Sequence, residues 1–440
     1  MGAAAQTIQT RTPAQPGTMS ALRYPHFRLY FIGQLISVSG TWMQTVAQGW
    51  LVFHLTQSEL WLGVVACAAG LPALILSPFA GVLVDRFPRR NILIVSQTVQ
   101  MILAFMLAFL TFANTVQVWH IVLLAFLLGV TNAIDAPARQ AIIVDLVGKE
   151  DLPSGIALNA IMFNGSRIFG PAAAGLALTQ VGPAWCFLLN GASFLAVIVM
   201  LFVIPAKPVP ETTSHVSPIR RLREGLAFSR AHATIGPLLL LAAISSVFLT
   251  NVSTLLPAFA DVVLHSPADA YAALTTAQGV GAVAAALLTA YLGTRLGRGR
   301  LVFAMMVFTP IATLLFAATN TVPAASFTAA LITFGLILGF VTVNTLIQTE
   351  VPDDFRGRVM SLYTLTFFGA APFGALALGI LAGGLGEANR LALSGGPGTV
   401  AVAPVLRGIG TPEALGIYAI IGGVLSVYVM LRAKRVRQLA

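Results

Sequence analysis

The sequence predicts an all-α membrane protein, with twelve transmembrane helices in two six-helix pseudo-symmetric bundles. Hydrophobic residues make up 57% of the 440 positions and charged residues only 9%, against about 25% charged in soluble domains. Apolar runs of about 20 residues, the length that crosses hydrocarbon as a helix, occur near residues 28–53, 60–84, 91–113, 117–137, 153–178 and 183–204. After a polar stretch they resume near 236–263, 268–293, 300–319, 323–347, 359–384 and 412–432. The two sets echo each other: Phe169, Gly170 and Gly175 in the fifth run recur as Phe373, Gly374 and Gly379 in the eleventh.

Residues 1–20 are rich in Ala, Gln, Thr and Pro and lack the basic start and apolar core of a signal peptide, so a disordered tail is expected. Gln6 stands where a myristoylation motif has Ser or Thr, and no lipid anchor is expected. Residues 21–204 then form the first bundle, 205–235 a linker, 236–432 the second bundle and 433–440 a basic tail. With the N-terminus in the cytoplasm, every Lys and Arg except Arg167, Arg390 and Arg407 lies on the cytoplasmic side. Both termini are therefore expected in the cytoplasm, with the chain in the plasma (inner) membrane. In the linker, Leu222, Leu226 and Phe228 alternate with Arg220, Arg221, Arg223 and Arg230. That pattern suits either a basic amphipathic helix on the membrane surface or a solvated connector. The stretch 387–411 is Gly- and Pro-rich and lies outside by this count.

The same features exclude several functions. A net charge of +10 comes from short basic clusters between apolar runs, which is a topology signal rather than a nucleic-acid surface. Cys67 and Cys186 both fall inside apolar runs as packing residues, giving neither a disulfide framework nor a zinc site. No HExxH spacing and no phosphate loop occurs, so no metal, no cofactor and no ATP hydrolysis is expected. The paired carboxylates Asp353 and Asp354 lie in a charged loop, a poor start for an enzyme.

The stretch Gly81 to Arg90, reading GVLVDRFPRR, cannot lie in hydrocarbon and forms a tight turn between two spans. Gly81, Leu83, Asp85, Arg86, Arg89, Arg90 and Leu93 match the spacing of the signature loop between spans 2 and 3 of the major facilitator superfamily, which the chain resembles from about residue 20 onward. Pro88 stands where that signature usually has glycine. The resemblance implies two duplicated six-span units with the substrate site between them near the midplane. It also implies a cytoplasmic gate made of Asp85, Arg86, Arg89 and Arg90. Asp85 would bond the positive N-terminal end of span 11, near Gly357 to Met360, when the cytoplasmic side closes.

Span 1 carries Gln34, Ser37, Thr41, Gln44, Thr45 and Gln48 at steps of three and four, so one helix face is polar. Such a face meets water or a partner helix, as cavity lining or as interhelical hydrogen bonds worth about 0.6 kcal/mol each. In the family, spans 1, 4, 7 and 10 line the cavity, which adds Asn132, then Thr250 and Asn251, then Asn344 and Gln348. Arg167, in the middle of span 5 where insertion costs about 2.5–3.5 kcal/mol, needs a partner: Asp135, Asn164 or an anionic substrate. Clamp and substrate ligand are both open. Asp135 in span 4 is followed one turn later by Arg139, so it can act as a proton carrier or as a lock paired with Arg139. Span 4 otherwise lacks the coupling arginine usual in the family. Gly170, Pro171 and Gly175 resemble the glycine-proline motif of the superfamily's antiporters.

These residues resemble the branch holding siderophore exporters and macrolide or multidrug efflux proteins. The expectation is a monomeric secondary transporter in the bilayer, exporting a drug-like molecule or siderophore in exchange for protons. An importer or lysophospholipid or metabolite carrier of the same fold is the alternative, ahead of a channel or a membrane enzyme.

Overall fold

A computed structural model describes residues 19–205, 218–384 and 408–437. The expected N-terminal tail up to residue 18, the stretch 385–407 and residues 438–440 lie outside the described residues. Within them every regular element is helical. After a short 3-10 turn, Ser20–Arg23, come α1 (Pro25–Thr56), α2 (Glu59–Arg86), α3 (Arg89–Phe112), α4 (Val118–Val147), α5 (Leu152–Gln180) and α6 (Pro183–Val203). The linker helix α7 (Pro218–Ala231) precedes α8 (Ile235–Ile244), α9 (Val252–Val262), α10 (Asp269–Leu296) and α11 (Arg298–Ala317). Then follow α12 (Val322–Glu350), α13 (Asp353–Gly383), α14 (Thr411–Arg432) and the short α15 (Lys434–Arg437).

Proline opens α1, α5, α6, α12 and α14, at the position where its missing N–H costs nothing. The left-handed Gly182 (φ +88°) turns the chain from α5 into α6. Among the described residues, ten helices, with α8 and α9 taken as one, are long and apolar enough to cross a membrane. Helices α1 and α5 are equally long but fall outside the ten. The Gln/Thr stripe of α1 and the Asn159, Asn164 and Arg167 of α5 dilute their apolar character.

The sequence predicts one helix near 236–263, and the structure breaks it. Residues Ser245–Leu249 form a π turn, with Thr250 N–H bonded to the Ser245 carbonyl five residues back. Thr250 Oγ1 and Asn251 Nδ2 donate to the Ser246 carbonyl, and Asn251 Nδ2 also to that of Val247, so the loosened turn is held by its own side chains.

Helices α1–α6 pack mainly on one another, as do α8–α14, while α2 lies along α13 and α5 along α10 to join them. The apolar core shows how. At the end where α2 and α14 begin, one cluster runs through both sets, from Val46 and Leu62 to Leu255, Leu274, Leu378 and Leu415. At the Asp85 end it divides into Tyr30, Val84, Leu93 and Leu201 on one side and Leu238, Leu346, Tyr363 and Met430 on the other. There, positions facing outward from the Gly81 and Gly357 backbones meet no neighbour within 4 Å. The helices therefore join at the Glu59 end and part at the Asp85 end.

Helix α7 is docked. Glu224 pairs with Arg358 at 3.2 Å, Phe228 stacks on Phe355 with centroids 4.4 Å apart, and Gly225 abuts the Arg358 carbonyl. Of the two readings left open for the linker, its Phe228 face meets a helix, while Arg220, Arg223 and Arg230 remain exposed.

Candidate functional site

The buried carboxylate of Asp135 organises a polar seam where α1, α3 and α4 meet. Its Oδ1 accepts from Ser96 Oγ at 2.6 Å and from Gln97 Nε2 at 3.0 Å, and Arg139 Nε stands 2.7 Å from its Oδ2. Gln97 Oε1 accepts in turn from Ser37 Oγ at 3.5 Å, and Gln100 Nε2 donates to Asn132 Oδ1 at 3.3 Å. Tyr30 and Gln34, one turn apart on α1, add buried polar atoms to the seam, with Tyr30 within reach of Gln34, Asp135 and Arg139. A charge withdrawn from water this completely persists only when paired and hydrogen-bonded.

Arg167 is elsewhere. Its guanidinium carbon lies 5.3 Å from the centroid of the Trp42 ring, its carbonyl touches Gly279 of α10, and Trp42 meets Phe163 edge-on at 6.0 Å. Among the described residues it forms no ion pair, so Asp135, one of its three candidate partners, is not paired with it. Half-buried over an aromatic face, a guanidinium is stabilised by about 0.5–2 kcal/mol.

The remaining expected residues divide. Thr41 and Gln48 stay half-exposed on α1, and Asn344 accepts from Gln348 Nε2 at 2.5 Å beside the exposed end of α12. Gln44 instead turns into the seam with α6, accepting from Asn190 Nδ2 at 2.7 Å, and Asn251 is taken up by the π turn. These two differ from the cavity-lining expectation because neighbouring helices or an open backbone carbonyl claim their amides first. In the Asp85 loop, Asp85 and Arg86 are exposed, and Asp85 forms no ion pair among the described residues. At its expected partner, the start of α13, α7 occupies the Phe355 and Arg358 face while the Gly357 backbone stays open. Arg89 pairs with Asp145 at 2.7 Å, and Arg90 donates to the Leu201 carbonyl at 2.7 Å, so both brace α3 against α4 and α6.

The repeated glycines occupy equivalent places. A Cβ on Gly170 would stand 2.6 Å from the Ser39 carbonyl of α1, and one on Gly374 would stand 2.3 Å from the Val247 carbonyl of the π turn. Only glycine allows these approaches. Five residues on, Gly175 touches Ala272 of α10 and Gly379 touches Gly63 of α2.

A sequence profile described as transmembrane secretion effector, from the major facilitator superfamily, matches residues 16–407. The chain belongs to this family. The staphyloferrin A transporter of Staphylococcus aureus is 22% identical over 371 residues, covering 84% of this chain and 92% of that protein. An enterobactin exporter of Shigella boydii is 24% identical over 430 residues and covers 94% of both chains. Among solved structures, the nucleoside transporter NupG aligns with a TM-score of 0.73 at 13% identity, over 93% of this chain and 99% of its own. A bacterial homologue of the iron transporter ferroportin, in an inward-facing state, gives 0.65 at 16% identity, over 92% and 98%. These two establish the fold alone.

The family makes this chain a multi-pass membrane transporter of the major facilitator superfamily, not an enzyme. Several residues at the site of this transporter escaped the sequence reading. Ser96, Gln97 and Gln100 form a polar face inside the apolar α3, a signal visible at steps of one, three and four. Trp42 was hidden within the polar stripe of α1, and nothing in the sequence pairs it with Arg167.

Proposed function

We propose that this transporter has twelve membrane helices in two six-helix bundles and exports a small organic anion, a siderophore or a drug-like compound, by alternating access with proton antiport. The carrying observation is Arg167. It is a cation without a carboxylate partner among the described residues, set over an aromatic ring and beside the α5–α10 contact that joins the two sets of helices. An anion with aromatic or planar parts suits it through hydrogen bonds to the guanidinium and stacking on Trp42. The similarity to an enterobactin exporter across 94% of both chains favours a siderophore and favours export. The positive-inside bias puts the Asp85 end in the cytoplasm, so the described state opens inward.

In this reading the Asp135–Arg139 pair carries the coupling proton: protonating Asp135 frees Arg139, and a carboxylate buried between α1, α3 and α4 feels any movement of those helices. Asp85 closes the cytoplasmic side by reaching the start of α13. Binding tests the substrate assignment. Purified protein should show quenching of tryptophan fluorescence by an iron-free siderophore, weakened in Arg167→Ala; unchanged affinity in that variant would remove Arg167 from the site.

A further inference from the structure

Helix α2 has a carboxylate at each end: Glu59 is its first residue and Asp85 its next to last, roughly 40 Å apart at 1.5 Å per residue. The two are in opposite situations. Glu59 Oε1 accepts a hydrogen bond from Thr411 Oγ1 at 2.9 Å, where Thr411 is the buried first residue of α14. Asp85 is exposed and forms no ion pair among the described residues. We propose that Glu59 is the residue that latches the outer side shut by holding the start of α14, and that α2 alternates between this latch and the Asp85 contact as the transporter changes state.

Three features make the Glu59 contact a latch. Its partners are 352 residues apart and belong to the two sets of helices, so the bond exists only when those sets meet. The receiving end is rigid: Ile409 and Gly410 N–H donate to the Leu381 and Ala382 carbonyls, which fixes the entry of α14 to the end of α13. A carboxylate also meets the positive end of α14 there, where a helix stabilises negative charge. Below the latch the α2–α13 seam stays tight, with Gly63 against Gly379, Gly70 against Pro372 and Leu74 against Gly369. It ends before Gly81, whose neighbourhood is open. Movement of α2 about that seam releases Glu59 as it brings Asp85 in.

The inference rests on the alternating-access reading and is tested apart from it. In a protein with Cys67→Ala and Cys186→Ala, pairs of spin labels on exposed positions at the Glu59 end and at the Asp85 end report both openings by pulsed dipolar spectroscopy. Glu59→Ala and Thr411→Val should each raise the population open at the Glu59 end by about tenfold, the worth of a hydrogen bond to a charged group. Thr411→Ser, which keeps the donor, should stay near the parent distribution, and Glu59→Gln, which keeps an acceptor but loses the charge, should fall between the parent and Glu59→Ala. The double variant Glu59→Ala/Thr411→Val should shift no further than either alone. Unchanged distances in both single variants, in protein with the parent's melting temperature, would overturn the latch. Asp85→Asn tests the other end separately: if it has no effect while Thr411→Val opens the Glu59 end, the latch stands and the Asp85 gate falls.

Discussion

Arg139 Nε lies 2.7 Å from Asp135 Oδ2, one helical turn away on α4, while Ser96 and Gln97 hold the other oxygen of the same carboxylate. Everything Asp135 bonds comes from the first set of helices. A change in its protonation is therefore felt first in how α1, α3 and α4 pack. Asp135→Asn should abolish accumulation of substrate against its gradient while leaving downhill exchange, and Asp135→Glu should retain part of the coupling. If the pair is only a lock, removing both charges together restores activity, which transport by the Asp135→Asn/Arg139→Gln protein will show. Arg139→Ala alone should be the less stable variant, by about 3 kcal/mol, because it leaves a buried carboxylate uncompensated.

Arg167 is expected to matter for affinity more than for folding. Arg167→Lys keeps a charge but loses the planar stack on Trp42, and its affinity should fall about tenfold. Arg167→Ala should lose ten- to a hundredfold, roughly the worth of one charge-assisted hydrogen bond. Normal binding with a lowered melting temperature in Arg167→Ala would identify a structural clamp instead.

Asp85→Asn should leave expression and helical content intact while transport falls severely, since the exposed carboxylate makes no ion pair among the described residues. Counterflow in proteoliposomes, beside circular dichroism of the same preparation, measures both.

The chain entry has its own pH signature. Asp151 accepts from Ser20 Oγ at 2.5 Å and Tyr24 Oη at 2.8 Å, and these bonds hold its carboxyl below the ordinary aspartate value. A depressed carboxylate stabilises the fold above its ordinary pKa of about 3.9, and that contribution is lost only as pH falls through the lower folded value. Tryptic cleavage at Arg23 should thus be constant from pH 8 to 5 once corrected for protease activity. Asp151→Asn should speed it at every pH.

Most of the fold was legible because a membrane leaves a chain few choices: apolar runs of spanning length and the bias of Lys and Arg carry the helices and their order. The π turn at Ser245–Leu249 was not legible. Its residues read as ordinary helix, and only the approach of Gly374 and the side chain of Asn251 reveal why the register slips. The Asp135–Arg139 pair was visible as an i, i+4 spacing, but its Ser96 and Gln97 partners lie on another helix, and long-range pairing leaves no mark in one sequence. Arg89 and Arg90, adjacent at the start of α3, face different neighbours, since residues a step apart on a helix do not share a face.

The most direct test of the account is flux in inside-out membrane vesicles carrying this transporter. With a proton gradient imposed, acid inside, they should accumulate an iron-free siderophore above its outside concentration, lose it when an uncoupler is added, and fail to accumulate it with Asp135→Asn. Vesicles that accumulate no more than transporter-free controls, or whose accumulation survives the uncoupler unchanged, would contradict proton-driven export.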